Sequence, residues 1–269
     1  MGKLNWIDIG VNLTDSSFDK DRNDVIEQAF ANGIEQLVIT GTSLKASIEA
    51  IALCQQYPEH LFCTVGVHPH YAKDHQKADI NELLALSSEP CVVAIGEMGL
   101  DFNRNFSEPS QQITIFEQQL EIASNAQLPL FLHERDAHKQ QLEMLSSHRD
   151  DFTHAVAHCF TGSKEELYNY LDLDLHIGIT GWVCDERRGI SLQKLLKEIP
   201  PNRLMIETDA PYLLPRDLKP KPKSRRNTPS NLPHIADKIA NLLNKDLAQL
   251  NDEIQKNTRS FFKLPPPNH

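Results

Sequence analysis

Eight short apolar segments, separated by amphipathic stretches, constrain the fold of this chain most strongly. Each segment is about as long as a strand and is apolar almost throughout, as expected for strands that are covered on both faces. The segments span residues 4–10, 36–41, 61–67, 91–97, 129–133, 154–159, 174–180 and 203–208. The pattern therefore predicts eight buried, parallel strands.

The stretches between these segments carry apolar residues at helical spacing. Residues 108–126 are the clearest case, because Pro109 opens the stretch and Ile113, Phe116 and Leu120 form one stripe. Further helices are predicted over 20–32, 44–56, 136–147, 163–171, 190–198 and 230–244.

Strand–helix alternation of this kind over 269 residues predicts an α/β fold, a (β/α)8 TIM barrel, with residues 1–269 as a single domain. The alternative is an open doubly wound sheet, but no glycine-rich dinucleotide loop follows the first segment.

Charge, the N-terminus and the cysteines limit the class of protein. A net charge of −10 argues against a protein that coats duplex DNA, but it permits an enzyme that takes one strand end into a metal-containing cleft. No segment approaches the roughly 20 apolar residues that span a bilayer, and MGKLNWIDIG has no apolar signal core.

The five cysteines form no CxxC pair. We expect a cytoplasmic monomer with no membrane partner, whose thiols are reduced and buried rather than part of a disulfide framework or zinc site.

Four residues with metal-binding side chains come at the ends of predicted strands. They are Glu97 in VVAIGEMGLDF, His133 in PLFLHERD, His158 in AVAHCFTG and Asp209 in LMIETDAPY. The C-terminal strand ends of a barrel form its catalytic face, so these side chains are expected to lie together. A single histidine at a strand end is more often a hydrogen-bonded structural residue. Four candidates at equivalent positions favour a site for Mg²⁺, Mn²⁺ or Zn²⁺.

Other polar residues follow the third and fourth strands. His68 and His70 stand in TVGVHPH, and Asp101 and Arg104 stand in GLDFNRNF. The HxH spacing is compatible with a metal site or with a solvated turn. We expect His68 to bind a phosphate or transfer a proton rather than serve as a primary ligand, with His70 and Arg104 binding substrate. Asp101 is expected either to orient metal ligands or to form a turn.

Residues 211–229, PYLLPRDLKPKPKSRRNTP, break the strand–helix pattern. Their five prolines predict an extended loop. The loop carries the basic residues Arg216, Lys219, Lys221, Lys223, Arg225 and Arg226. A charge run is usually a solvated face. Because this one comes right after Asp209, it is expected at the rim of the catalytic face, where Arg216, Arg225 and Arg226 would bind substrate phosphates.

Six motifs resemble the TatD family of metal-dependent deoxyribonucleases: GVHPH, AIGEMGLDF, LFLHERD, HCFTG, ITGWVCDERRG and ETDAPYLLPR. The similarity runs from about residue 7 to about residue 261. The resemblance implies a TIM-barrel metallohydrolase that hydrolyses phosphodiester bonds. It also implies metal ligands at Glu97, His133, His158 and Asp209.

One motif departs from the family pattern. The family usually opens with D-[ST]-H-x-H, whereas this chain has Asp8-Ile9-Gly10-Val11-Asn12. Glycine offers no side-chain ligand and asparagine only a neutral amide oxygen, so we expect this chain to bind fewer or weaker metal ions than members of the family with both histidines. The Gly/Asn version resembles the bacterial branch of the family, which implies Mg²⁺-dependent 3′→5′ exonuclease action on single-stranded DNA and RNA. Fewer imidazoles also favour Mg²⁺ over Zn²⁺.

The expected function is therefore a metal-dependent nuclease, with a role in DNA repair or nucleic-acid turnover. Glu97 is expected to be a central ligand, Asp209 a ligand or general base, and His68 to steady the phosphate or protonate the leaving group. One alternative is a hydrolase of a small-molecule ester or amide, which the same barrel face would serve. The other is a non-catalytic nucleic-acid-binding barrel, against which the four retained ligands argue.

Overall fold

The computed structural model describes residues 4–266, apart from the side chain of Lys77. Eight strands belong to one sheet, in the order in which they occur along the chain. The strands are β1 (Trp6–Val11), β2 (Ile34–Ile39), β3 (Leu61–Val65), β4 (Val92–Asp101), β5 (Leu130–Arg135), β6 (Ala155–Ala157), β7 (His176–Ile179) and β8 (Leu204–Ile206). The pairs β1–β2, β3–β4, β4–β5, β5–β6 and β7–β8 are all parallel.

Helices follow the strands along the chain. They are α1 (Arg22–Ala31), α2 (Leu44–Cys54), α3 (Lys77–Leu86), α4 (Pro109–Ala126), α5 (His138–Ser147), α6 (Lys164–Asp172), α7 (Ile190–Leu195), α8 (Leu232–Leu243) and α9 (Leu247–Phe262). Short 3-10 helices occur at Ser16–Phe18, Pro69–Asp74, Gly181–Cys184, Leu196–Glu198, Pro201–Arg203 and Pro229–Asn231. In the part of the chain described, no helix combines the length and the apolar character needed to cross a membrane.

Strand β1 also lies beside β8. The backbone amide of Asp209 donates to the carbonyl of Gly10 over 2.9 Å, and that of Asn12 donates to the carbonyl of Ala210 over 2.7 Å. With the sequential strand order, this is the topology of a (β/α)8 barrel, so the predicted fold class is confirmed.

The contacts within the chain divide it into two compact units. Unit 1 comprises Met1–Ile39, Cys159–Leu167 and Ile177–His269, and unit 2 comprises Thr40–His158 and Tyr168–His176. The assignment of residues 1–269 to a single domain stays a prediction.

Local sequence signals account for the helix boundaries. Helix α4 begins at Pro109 as predicted, and Glu108 and Gln111 form a reciprocal capping box. Helix α2 begins after Ser43, whose side chain accepts a hydrogen bond from the backbone of Ala46. In unit 2 every residue of β4 is buried, which explains its unbroken apolar sequence.

Two helices were not predicted from the sequence. Helix α3 has a weak apolar stripe. Helix α9 buries a clear one, Leu250, Ile254 and Phe261, and its N-cap Asp246 accepts hydrogen bonds from two backbone amides. The apolar stripe and the N-cap of α9 are visible in the sequence. They lie after the eighth strand, however, where the strand–helix alternation is already complete.

Candidate metal centre

The predicted positions of two site residues in their strands are wrong. Glu97 is the sixth of ten residues in β4, and His133 is the fourth of six in β5. The two strands stay paired as far as Asp101 and Arg135, with a shift of register between Ile95 and Met98. Polar and charged side chains are tolerated in these strand interiors because they face one another. His158, by contrast, directly follows β6 as expected.

Three histidines of unit 2 converge on a single oxygen of Glu97. Glu97 Oε1 lies 2.8 Å from His158 Nε2, 3.0 Å from His133 Nδ1 and 3.3 Å from His68 Nε2. Glu97, His68 and His158 are each less than a tenth exposed. The structure thus brings together three of the four predicted ligands, together with His68.

The histidines determine the charge of the carboxylate. Burial by itself would raise the pKa of Glu97, but the neighbouring imidazoles of His158 and His68 and hydrogen bonds from His133 and His158 hold it well below its ordinary value. Burial lowers the pKa of His133, yet the neighbouring carboxylates of Asp101 and Glu97 raise it above its ordinary value. The centre therefore holds an ionised carboxylate at neutral pH.

His68 has a defined tautomer. The backbone amide of His70 donates to His68 Nδ1 over 3.1 Å, so in the neutral ring the proton is on Nε2, which faces Glu97. Burial lowers the pKa of His68 to about 4, against an opposing effect of Glu97. At neutral pH this side chain is an uncharged hydrogen-bond donor rather than an imidazolium acid, which favours the predicted contact with a phosphate over proton transfer to a leaving group.

Asp101 links the centre to His70 and also forms a turn. Its Oδ2 lies 2.7 Å from His70 Nε2 and 3.5 Å from His133 Nε2. Its Oδ1 accepts hydrogen bonds from the backbone amides of Asn103 and Arg104. Asp101 therefore forms the predicted turn after β4 and also contacts two imidazoles; that it orients metal ligands stays a prediction.

Two exposed aromatic side chains beside the histidines were missed in the sequence. Phe106 is 53% exposed, and its ring centroid lies 4.7 Å from that of His70. Tyr71 is 48% exposed, and its ring lies 6.4 Å from His68. The available signal was an aromatic residue in each of the loops that follow β3 and β4. Arg104 is exposed in the same loop as Phe106.

The donor set of this centre fits a divalent cation. One carboxylate oxygen has two lone pairs, yet three ring nitrogens lie within 3.3 Å of it, more than hydrogen bonding to that atom accounts for. His133 Nε2 is buried without a hydrogen-bond partner among the described residues. The ligand atoms of His68, Glu97 and His133 lie within 4.8 Å of one another. Mixed nitrogen and oxygen donors at this spacing suit a cation such as Mg²⁺, Mn²⁺ or Zn²⁺.

Asp209, the fourth predicted ligand, lies in unit 1, three residues beyond β8. Its backbone is left-handed, with φ of 52°, and its Oδ1 accepts a hydrogen bond from the Asn12 amide over 2.9 Å. Asn12 stands where the family pattern has its second histidine. The residue that breaks the pattern therefore positions the carboxylate of Asp209. The role of Asp209 as a ligand stays a prediction.

The basic loop, residues 211–229, has no helix before Pro229, as predicted. Arg226 is held within unit 1: its guanidinium binds both carboxylate oxygens of Asp21 over 2.8 and 2.6 Å, and it lies over the ring of Phe18. Arg216 pairs with Asp185 over 3.5 Å. Arg225 is exposed and has no ion pair or hydrogen bond among the described residues. These contacts favour Arg225 over Arg226 as a contact for phosphate.

Comparisons with known proteins find similar proteins over nearly the whole chain. Residues 7–263 match the family model described as TatD related DNase. The 3'-5' ssDNA/RNA exonuclease TatD of Salmonella typhimurium is 51% identical over 257 residues, which cover 96% of this chain and 98% of that protein.

Solved structures share the fold over nearly the whole chain. The crystal structure of a TatD family hydrolase from Entamoeba histolytica superposes with a TM-score of 0.86 at 28% identity, covering 98% of this chain and 100% of that one. The TatD homologue YJJV of Escherichia coli K12 gives a TM-score of 0.87, covering 97% of this chain and 98% of that one. At 24% identity this second likeness concerns the fold alone.

Proposed function

The chain belongs to the TatD-related DNase family, and from that premise we propose that it is a metal-dependent 3′→5′ exonuclease acting on single-stranded DNA and RNA. A nuclease with a divalent metal is what the family membership entails. The polarity and the single-stranded substrate come from the name of the relative that shares 51% of its residues. We further propose that the enzyme serves nucleic-acid turnover or repair.

One observation carries the assignment of the site: three imidazoles converge on Glu97 Oε1. Glu97, His133 and His158 would hold the cation, which, when bound, supplies positive charge to a phosphate oxygen and lowers the pKa of a water. The oxygen ligands and the replacement of the family's N-terminal HxH motif by Gly10 and Asn12 favour Mg²⁺. The proposed role of Asp209 is that of a further ligand or a general base.

His68 would bind the substrate through Nε2. Its neutral form carries a proton on that atom and faces the carboxylate of the centre, so it is placed to donate a hydrogen bond to a phosphate oxygen. Asp101 and His70 would fix the orientation of the imidazole rings in the centre. The ring of His133 then keeps one orientation during turnover, because Glu97 lies at Nδ1 and Asp101 at Nε2.

The surroundings of the centre suit a strand end with unstacked bases. Phe106 and Tyr71 offer exposed ring faces next to His70 and His68. Aromatic rings of this kind stack on bases without regard to sequence. The exposed guanidinium of Arg104 follows in the same loop and is proposed to bind a phosphate. Arg216 and Arg225 are proposed as further phosphate contacts.

The test is a metal add-back experiment. Protein stripped of metal is incubated with single-stranded DNA labelled at its 5′ end, and Mg²⁺, Mn²⁺ or Zn²⁺ is supplied in turn. We expect a ladder of 5′-labelled products that shorten one nucleotide at a time, with Mg²⁺ sufficient for activity. Internal cleavage, or activity that persists in the stripped protein, would contradict the proposal.

A matched pair of variants tests the site. His158 directly follows β6, whereas His154 directly precedes it and is exposed. His158→Ala should abolish cleavage and weaken metal binding measured by calorimetry, and His154→Ala should leave both unchanged. Equal activity in the two variants would show that His158 is not part of the centre.

A further inference from the structure

Three cysteines of unit 2 lie together, away from the candidate metal centre. Cys54 is the last residue of α2, Cys63 lies within β3, and Cys91 directly precedes β4. Their sulfur atoms lie within 4.8 Å of one another. None forms a disulfide, so the cluster consists of three free thiols.

The backbone fixes this cluster. The amide of Cys63 donates to the carbonyl of Cys91 over 2.9 Å, which ties the two chain segments together beneath the end of α2. Cys54 and Cys63 are buried, and Cys91 is partly exposed. Two of the thiols are therefore held in a packed core, while the third belongs to a residue that is partly exposed to solvent.

The spacing of the thiols matches that of ligands around one ion. With metal–sulfur bonds of about 2.3 Å, three sulfurs in a plane around a cation stand about 4 Å apart. That distance is inside the observed limit of 4.8 Å, so the thiols need little movement to share an ion.

We propose that Cys54, Cys63 and Cys91 form a binding site for Cu⁺. Thiolates are soft ligands that select Cu⁺ or Zn²⁺, and structural Zn²⁺ takes four ligands, whereas the group formed by the described residues has three. Each thiol that binds as a thiolate releases its proton to solvent.

This site is separate from the centre around Glu97. Glu97 comes six residues after Cys91 in the same strand segment, which is about 20 Å at roughly 3.3 Å per residue. Cys91 directly precedes the first residue of β4, whereas Glu97 is the sixth residue of that strand and His68 lies three residues beyond the end of β3.

A second cluster that contains a cysteine differs from this one, because its carboxylate is already paired. Cys184 lies near Asp217 and His234 in unit 1, but Asp217 is already paired with His234 over 2.7 Å and with Lys238 over 3.3 Å. An ion would have to displace a lysine there. Cys184 is accordingly a suitable control, because it is a buried thiol outside the proposed site.

The experiment titrates the reduced, metal-free full chain with Cu⁺ held by a competing chelator. We expect the wild type to bind one Cu⁺ at the thiols, with X-ray absorption showing three sulfur neighbours. Cys91→Ser and Cys54→Ala should each weaken this binding by at least about 100-fold, since even groups that only support a ligand contribute 10–100-fold. Cys184→Ser should bind as the wild type does.

Circular dichroism and Mg²⁺-dependent nuclease activity establish that each variant is folded. Cys91→Ser replaces the partly exposed thiol, so it tests the site even where the buried positions do not tolerate change. The proposal is overturned by unchanged Cu⁺ affinity in folded Cys91→Ser, by nitrogen rather than sulfur neighbours around the bound copper, or by a wild type that takes Zn²⁺ but not Cu⁺.

Discussion

At the scale of single residues, the site depends on which polar groups already have a hydrogen-bond or ion-pair partner within the protein. Glu97 collects three imidazoles, and the buried His133 retains a ring nitrogen without a hydrogen-bond partner among the described residues. Arg226, by contrast, has its charge matched by Asp21 inside unit 1. Residues that the sequence analysis selected as candidates for the site thus differ in whether their polar groups remain available to bind a metal or a substrate.

This difference predicts separate effects for two neighbouring arginines. Arg225→Ala removes an exposed charge that is free to bind phosphate, so we expect KM for a long single strand to rise with kcat little changed. Arg226→Ala breaks the ion pair with Asp21. Because both groups are partly exposed, solvent screens the pair and reduces its contribution to stability. We expect a loss of stability of about 1 kcal/mol and a smaller change in KM.

The prediction for KM is checked by steady-state kinetics on a long oligonucleotide and on a small chromogenic phosphodiester. Urea unfolding checks the prediction for stability. The small substrate has no neighbouring phosphates for Arg225 to bind, so Arg225→Ala should cleave it as the wild type does. Equal losses on both substrates would assign Arg225 to the centre or to the fold instead.

Phe106 provides a second prediction at this scale. Its ring is half exposed and leans on His70, so removing the ring should cost one base-stacking contact, about 1–3 kcal/mol of binding or roughly 10- to 100-fold in Kd for single-stranded DNA. Phe106→Trp should preserve binding, whereas Phe106→Leu should behave like the alanine variant. Fluorescence anisotropy with metal-free protein measures the Kd values of the wild type and of Phe106→Ala, Phe106→Leu and Phe106→Trp. Equal affinity of Phe106→Leu and wild type would exclude stacking.

At the scale of elements, β4 and β5 approach each other closely where they carry the site. Gly99 has φ of 136°, and a Cβ built there would come within 2.0 Å of the carbonyl oxygen of His133. Only glycine fits at this point. The MGL part of the sequence motif is therefore a packing requirement that lets β4 continue past Glu97 alongside β5.

A histidine joins two helices of unit 2 and makes their packing depend on pH. His148, at the end of α5, lies 2.7 Å from Glu117 of α4 and 2.9 Å from Asp151. Burial lowers the pKa of His148, but its hydrogen bonds with Glu117 and Asp151 raise it above its ordinary value of 6.5. Both ring nitrogens face carboxylates, so the contact stabilises the imidazolium.

Because the folded pKa is the higher one, this contribution is complete below the unfolded pKa and is lost as pH rises through the folded value. We expect His148→Gln to be less stable than wild type by about 0.5–1 kcal/mol at pH 6, a figure reduced by the exposure of both carboxylates. At pH 9 the difference should vanish. Urea unfolding at the two pH values measures it, and a difference that is the same at both would show that the charge plays no part.

At the scale of the whole molecule, the net charge of −10 opposes binding of any polyanion. Substrate affinity must then come from a few local contacts and the metal. With about three phosphate contacts, log affinity for a single strand should fall against log salt with a slope of roughly −2. Duplex DNA of equal length should bind more weakly at every salt concentration. Anisotropy titrations test this, and a slope steeper than about −5 would mean that many more cations take part than the loop and Arg104 supply.

The sequence by itself determined the strand–helix alternation, the (β/α)8 topology and the family. These depend on local periodicity and on motifs whose residues lie near one another in the chain. It also identified Glu97, His133, His158 and His68, because polar side chains interrupt or follow apolar strands at each of those positions.

Only the tertiary structure decided how these residues are used. That β4 and β5 continue beyond Glu97 and His133, that Arg226 is paired with Asp21, and that Asn12 holds Asp209 all depend on contacts between residues far apart in the chain. The same is true of the three cysteines, which are spread over 38 residues and give no sign in the sequence that their sulfurs meet. Packing of distant segments sets burial, hydrogen bonding and hence charge, and no local pattern encodes it.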